Sequence, residues 1–321
     1  MKAITRRLCG LLTAVATFGA GVGLAHASEH ATWTGMGAQL PESTNVAQAM
    51  LTARNADKPS PLGANEVCTP APGENPVILL HGMNSDAYGS FARLSPALKE
   101  AGKCVYAFTY GEYDLSLMGK MPGFNGMAPL EDSLVEVGSY VDAVRANTGA
   151  EKVDLVGYSA GGSLSVAYAK QQGAAVVGNV VTIAGVNRGT SLLGLSQLER
   201  ILAKNGLQVV NATDRLIGPV GGDLLENSDF MMRLKDGGIE APGVHYAAIS
   251  TLYDEAATPL SNTQFSSGNY ENIVVQNGCA QDRADHLSLP YDPRAIAYTV
   301  NALGGDVQVP CSSVLPVVPL Y

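Results

Sequence analysis

The chain has 321 residues, 46% of them hydrophobic and 15% charged, with 20 Lys+Arg against 29 Asp+Glu and a net charge of −9. That acidity disfavours nucleic acid and anionic membrane surfaces as partners and mainly serves solubility. The length and apolar content suit a single domain with one large core.

In chain order, residues 1–27 read as a secretory signal. Lys2, Arg6 and Arg7 precede an apolar run over 8–24, and Ala25-His26-Ala27 offers a small-residue cleavage site. Such a run, padded with glycine, is short for a membrane span, so export with cleavage near Ala27 is expected. No second apolar run has membrane length, so no integral membrane segment is expected after signal removal. Loss of the three basic residues takes the net charge from −9 to −12. Residues 28–321 read as one domain. Residues 28–75, polar and rich in Pro and Gly, form a strap with a short helix over 45–54.

Alternation then begins. PVILL (76–80) reads as a buried strand, 88–101 as a helix, and CVYAFT (104–109) as a strand. A helix over 130–147 follows, then KVDLV (152–156) as a strand, a helix over 161–172, and NVVTIA (179–184) as a strand. HYAAIST (245–251) and ENIVV (271–275) supply late strands, and 293–303 a closing helix. Continuous apolar strands separated by amphipathic helices predict an α/β fold, a mostly parallel sheet covered on both faces. Two stretches break the rhythm: the Met-bearing loop 112–129, and a glycine-punctuated helical insertion at 188–243 that suits a lid or cap.

Four cysteines follow the signal, Cys68, Cys104, Cys279 and Cys311, and an even number in an exported chain suggests two disulfides. Of three possible pairings, Cys68 with Cys104 and Cys279 with Cys311 is favoured, because each closes one local loop. No two of them show close ligand spacing, so neither a metal nor a cofactor is expected.

The chemistry is carried by Gly157-Tyr158-Ser159-Ala160-Gly161, a G-x-S-x-G pattern. With 36 glycines in the chain, chance supplies about 0.3 such matches. Context raises its standing: a predicted strand precedes it and a helix follows, the strand–turn–helix that exposes a nucleophilic serine. An oxyanion formed there needs two donors. Ala160 N–H supplies one, and the loop after PVILL supplies the other through Met83 N–H. His81 precedes the serine and reads as a bracing residue. Among the remaining histidines, His30 lies in the strap and His245 opens a strand, whereas His286 lies late in a loop between the last strand and last helix, and is the expected base. Asp254, where a strand runs into a turn, is the expected acid; Glu255, Asp223 and Asp229 compete, and Asp282 and Asp285 are too close in sequence to His286.

PVILLHGMNSD, KVDLVGYSAGG, TIAGVNRGTSLLG, STLYDEAATP and DHLSLPYDP, in that order over residues 76–303, resemble secreted bacterial lipases and esterases of the α/β-hydrolase fold, the class 2 lipases. The resemblance implies a carboxyl-ester hydrolase acting on an ester or lipid, with Ser159 as nucleophile, Asp254 as acid, His286 as base, and Met83 and Ala160 as oxyanion donors. Tyr158 departs from the family, where many members carry histidine. A polyester depolymerase or an acyltransferase would use the same triad. A hydrolase fold that only binds is disfavoured, because serine, acid, base and both donor loops are present in order. Met118, Met121, Phe124 and Met127, with Leu192, Leu193 and Leu195, are candidates for an acyl-chain surface, plain packing being the equal alternative.

Overall fold

A computed structural model describes residues 36–53, 55–191 and 210–317. The expected signal at 1–27, His30, and Leu192, Leu193 and Leu195 lie outside the described residues.

The strap region contributes β1 (Gln39–Leu40), α1 (Val46–Ala53) and β2 (Ser60–Pro61), with β1 and β2 paired in a small parallel sheet. Asn45 starts α1 by accepting the Gln48 N–H at 2.9 Å. The main sheet has six strands: β3 (Val77–Leu80), β4 (Val105–Ala107), β5 (Val153–Tyr158), β6 (Val177–Ile183), β7 (His245–Ser250) and β8 (Asn269–Val274). Their spatial order is β4-β3-β5-β6-β7-β8, and every pairing is parallel. After β3 the chain moves outward to β4, then returns to the other side of β3 as β5. Parallel sheets bind ligands at the carboxyl ends of the strands flanking such a reversal.

Strand alternation sends Ile78 and Leu80 to one face and Val77 and Leu79 to the other. On the first face they pack with α4 (Leu130–Thr148) and α5 (Ala160–Gln172). On the second they meet α2 (Ala87–Phe91), α3 (Leu94–Glu100) and the last helix, Pro293–Ala302. The helix expected over 88–101 is therefore two helices. A continuous one would need the residue 96 N–H to reach the Ala92 carbonyl, and Pro96 has none. In α3, Pro96 falls in the first turn, where no N–H has an intrahelical partner.

The described part of the insertion contains three helices, Val210–Ile217 (α6), Val220–Asp223 (α7) and Asp229–Lys235 (α8), and Pro293–Ala302 is then α9. Strand β4 covers only part of 104–109, whereas β5 runs past the expected 156 to Tyr158, directly before the serine. Disulfides join Cys68 to Cys104 and Cys279 to Cys311. The second closes a 32-residue separation around His286. Replacing both of its cysteines by serine is expected to lower stability by about 3 to 4 kcal/mol on the chain-entropy model. Guanidinium unfolding measures this, and an unchanged midpoint would contradict it.

Candidate active site

Ser159 sits between β5 and α5 with φ 53° and ψ −117°, in the left-handed region that a side chain enters only under constraint. Two contacts impose it. A Cβ at Gly161 would stand 1.9 Å from the Leu80 carbonyl oxygen, and one at Gly157 would stand 2.2 Å from the Gly161 oxygen. Both flanking glycines are therefore required by close backbone approach. The turn is held by Ser159 N–H donating to the Ile183 carbonyl at 3.0 Å, and by Gly162 and Val186 N–H donating to the Ser159 carbonyl. Asn84 and Ala184, which follow β3 and β6, also have positive φ, at 58° and 47°. Three of the five non-glycine residues with positive φ among the described residues thus lie at the carboxyl ends of three adjacent strands; the other two, Lys58 and Asn65, lie outside them.

The loop after β8 brings His286 to Ser159, with Nε2 2.9 Å from Oγ. Its Nδ1 lies 2.9 and 3.1 Å from the two carboxylate oxygens of Asp254. Asp254 Oδ1 also accepts the Ala256 and Ala257 N–H groups at 2.9 and 2.6 Å. Burial alone would push the Asp254 carboxyl up, but the attraction of His286 and these hydrogen bonds leave it below its ordinary value. Burial likewise disfavours the His286 cation, yet the Asp254 charge and hydrogen bond, then Glu255 and Asp285, leave that imidazole above its ordinary value.

The competing acids have other partners. Asp223 accepts the Leu130 N–H at 2.9 Å and so starts α4, and Asp229 opens α8. Glu255 accepts the His286 backbone N–H at 3.3 Å, and burial raises its carboxyl. His245 meets Asn179 at the start of β7, far along the strand from its carboxyl end.

His81 braces the loop that carries Met83. It is fully buried, its Nε2 accepts the Tyr110 N–H at 3.1 Å, and its Nδ1 donates to the Gly82 carbonyl at 2.8 Å. Burial brings its pKa down to about 4, so the ring stays neutral and keeps that tautomer. Tyr110 stacks on it at 4.1 Å and donates its hydroxyl to the His81 carbonyl. The Met-bearing loop completes the brace through reciprocal Ser85 and Asn125 backbone bonds. Ala160 is the first residue of α5, where N–H groups have no intrahelical acceptor.

Tyr158 acquires a role that its position in the motif does not reveal. Its hydroxyl donates to the His286 carbonyl at 3.0 Å, its ring lies 5.3 Å from the imidazole, and it also touches the Gly82 turn. Burial, then the nearby carboxylates, hold its hydroxyl protonated. One side chain thus spans the serine turn, the Met83 loop and the His286 loop.

Ser159, His286 and Met83 open onto a cavity of about 510 Å³. Phe124 lines it as expected, but Met118 and Met121 do not, and Met127 is fully buried in the core. Val46, Ala47, Met50 and Ala53 of α1, with Leu224, Leu287 and Val317, supply apolar wall instead. The α1 contribution was visible as spacing of apolar residues along one helix face, at i, i+1, i+4 and i+7.

Residues 74–293 match the family described as Lipase (class 2). Among solved structures, the chain is similar to Aspergillus fumigatus lipase B, with 20% identity, a TM-score of 0.56, and coverage of 78% of this chain and 56% of that one. It is also similar to the mature form of Bacillus licheniformis lipase BlEst2, with 16% identity, a TM-score of 0.52, and coverage of 75% and 96%. The chain therefore spans little more than half of the Aspergillus protein. With the parallel sheet, these likenesses identify the α/β-hydrolase fold.

Tyr158→Phe leaves the His286 carbonyl without its donor, an expected cost of about 1 to 3 kcal/mol. Thermal melts should show the loss, and kcat on a soluble ester should fall with it; wild-type values for both would refute the tyrosine's bracing role.

Proposed function

The chain belongs to the class 2 lipase family, and from that premise we propose that it is an exported carboxyl-ester hydrolase working through an acyl-enzyme on Ser159. The observation that carries this reading is the continuous bonded array Ser159–His286–Asp254 at the mouth of a mainly apolar cavity.

His286 Nε2 takes the Ser159 hydroxyl proton as Oγ attacks the ester carbonyl. Negative charge develops on the carbonyl oxygen and is met by the N–H groups of Met83 and Ala160, which are held before the reaction and need little reorganisation. Collapse of the tetrahedral intermediate passes the proton from His286 to the leaving alcohol. Water, deprotonated by the same imidazole, then attacks the acyl-enzyme; Oγ leaves, recovers the proton, and the acid departs. Asp254 fixes the tautomer with Nδ1–H and stabilises the imidazolium in each half-reaction. The acyl chain lies along the wall made by Phe124, Leu224 and α1. Export is supported by the pairing of all four cysteines beyond Cys9. Among the described residues no helix is long and apolar enough to cross a membrane.

Ser159→Ala is expected to retain its fold and lose hydrolysis of short p-nitrophenyl esters by about three orders of magnitude or more. Substantial residual turnover in a folded variant would sink the assignment. Because the base must be neutral, wild-type kcat/KM should rise with pH through a midpoint above 6.5. Asp254→Asn removes the attraction that holds this midpoint up. In that variant the midpoint moves down and the rate falls by about 10³ to 10⁴; an unmoved midpoint would show that another group titrates.

A further inference from the structure

The fixed charges on the cavity wall are of one sign. Among the described residues that line it there are two carboxyl groups, Asp86 and Glu255, and no lysine or arginine. Guanidinium groups of neighbouring segments are engaged elsewhere. Arg93 donates to the Tyr291 carbonyl at 2.6 Å, Arg188 is paired with Glu240, and Arg283 lies over the Tyr253 ring at 5.4 Å.

The two carboxyls are placed differently. Asp86, only 3% exposed, follows Met83 by three residues and is committed to the start of α2, where Oδ1 accepts the Gly89 N–H at 2.6 Å. Glu255 is partly exposed, and its Oε2 accepts the His286 backbone N–H at 3.3 Å. Among the described residues no lysine or arginine forms an ion pair with it. A carboxylate in a mainly apolar wall, supplied with an N–H donor but no cation, lacks the partner that best offsets its desolvation.

Its position also bears on the reaction. The leaving alcohol takes its proton from His286 Nε2 and so departs beside that imidazole, and Glu255 is bonded to the backbone of the same residue. An ammonium group on the alcohol would supply the missing cation there. Phe124 and Tyr291 add aromatic surface to the same cavity, which suits a quaternary ammonium, whose methyl groups are apolar and whose charge is attracted to rings. We propose that Glu255 sets the alcohol specificity of this site, favouring esters of cationic, choline-type alcohols over those of uncharged or anionic ones. The inference rests on the reading of Ser159 as nucleophile and His286 as base. Glu255 acts by charge alone and exchanges no proton with the substrate.

Two esters of one acid that differ by a single charge test this: choline butyrate, and 3,3-dimethylbutyl butyrate, in which carbon replaces the nitrogen. The ratio of their kcat/KM values divides out any change in the triad common to both. Assays run at low salt and about pH 8, above the carboxylate range. The ratio of choline to dimethylbutyl ester should be about three- to tenfold higher in wild type than in Glu255→Gln, the effect of one unit charge at about 6 Å under partial screening. The glutamine keeps an oxygen for the His286 N–H. Glu255→Asp, which keeps the charge, should retain most of the preference, and Asp86→Asn should change it less than Glu255→Gln does. Salt at about 0.5 M should draw the wild-type ratio toward that of Glu255→Gln. Equal ratios in wild type and Glu255→Gln overturn the proposal, as does a larger fall in Asp86→Asn. Should Glu255→Gln fail to fold, the salt series on wild type decides, and a ratio indifferent to salt counts against the charge. Where turnover of the choline ester is too slow to follow, competition by choline and by 3,3-dimethylbutanol against p-nitrophenyl butyrate gives the same contrast, with the same outcomes required. If Ser159→Ala still hydrolyses both esters, the reading of the nucleophile has failed; if Ser159→Ala is inactive and the ratios coincide, only the role of Glu255 has.

Discussion

The first turn of α5 presses against the end of β3 until a single added carbon at Gly161 would stand 1.9 Å from the Leu80 carbonyl oxygen. That approach brings the turn after β5 beside the turn after β3. It also forces Ser159 to φ 53°, a conformation costing about 1 to 3 kcal/mol that the surrounding sheet must sustain. The His81–Tyr110 stack and the Tyr158 hydroxyl brace the same contact from the two sides. The neighbouring backbone strain at Asn84 and Ala184 belongs to this compression of three strand ends toward one point.

Carboxyl chemistry at the site is set by neighbours more than by residue type. Asp254 has a cationic partner and two N–H donors, and remains ionised despite burial. Asp86, which starts α2 on the cavity wall, lacks a cation and is pushed up to about 6, chiefly by burial. Asp292 faces another carboxyl and goes higher still. Three buried aspartates thus span the range from firmly charged to proton-retaining. Of the three, Asp254 is the one bonded to an imidazole, that of His286.

Much of this was legible in the sequence because local signals and the global fold agree. The apolar run 76–80 and the segment 152–156 leading into the motif read as interior parallel strands, and the glycines around Ser159 marked the tight turn between strand and helix. The pairings of Ser159, His286 and Asp254 followed from chain order. What stayed hidden depends on contacts distant in sequence. Tyr158 reads as an arbitrary middle residue until the carbonyl of a residue 128 positions away is beside it. The Met-bearing loop looked like one acyl surface, yet Met127 turns inward to the core and Phe124 outward to the cavity. Hydropathy cannot distinguish those two destinations, because both are apolar. The burial of Asp282 and Asp292 was also invisible, since acidic residues in a loop ordinarily indicate solvent.

The cavity wall contains both α1, near the beginning of the described chain, and Val317, at its far end. Synthesis is vectorial, so α1 emerges early and must wait for the wall that faces it. The bridge to Cys311 and the pairing of Val314 with Asp282 also await those late residues. A growing chain can complete its sheet while the site is still open on one side. The cavity wall is therefore complete only when the segment carrying Val317 folds back against it.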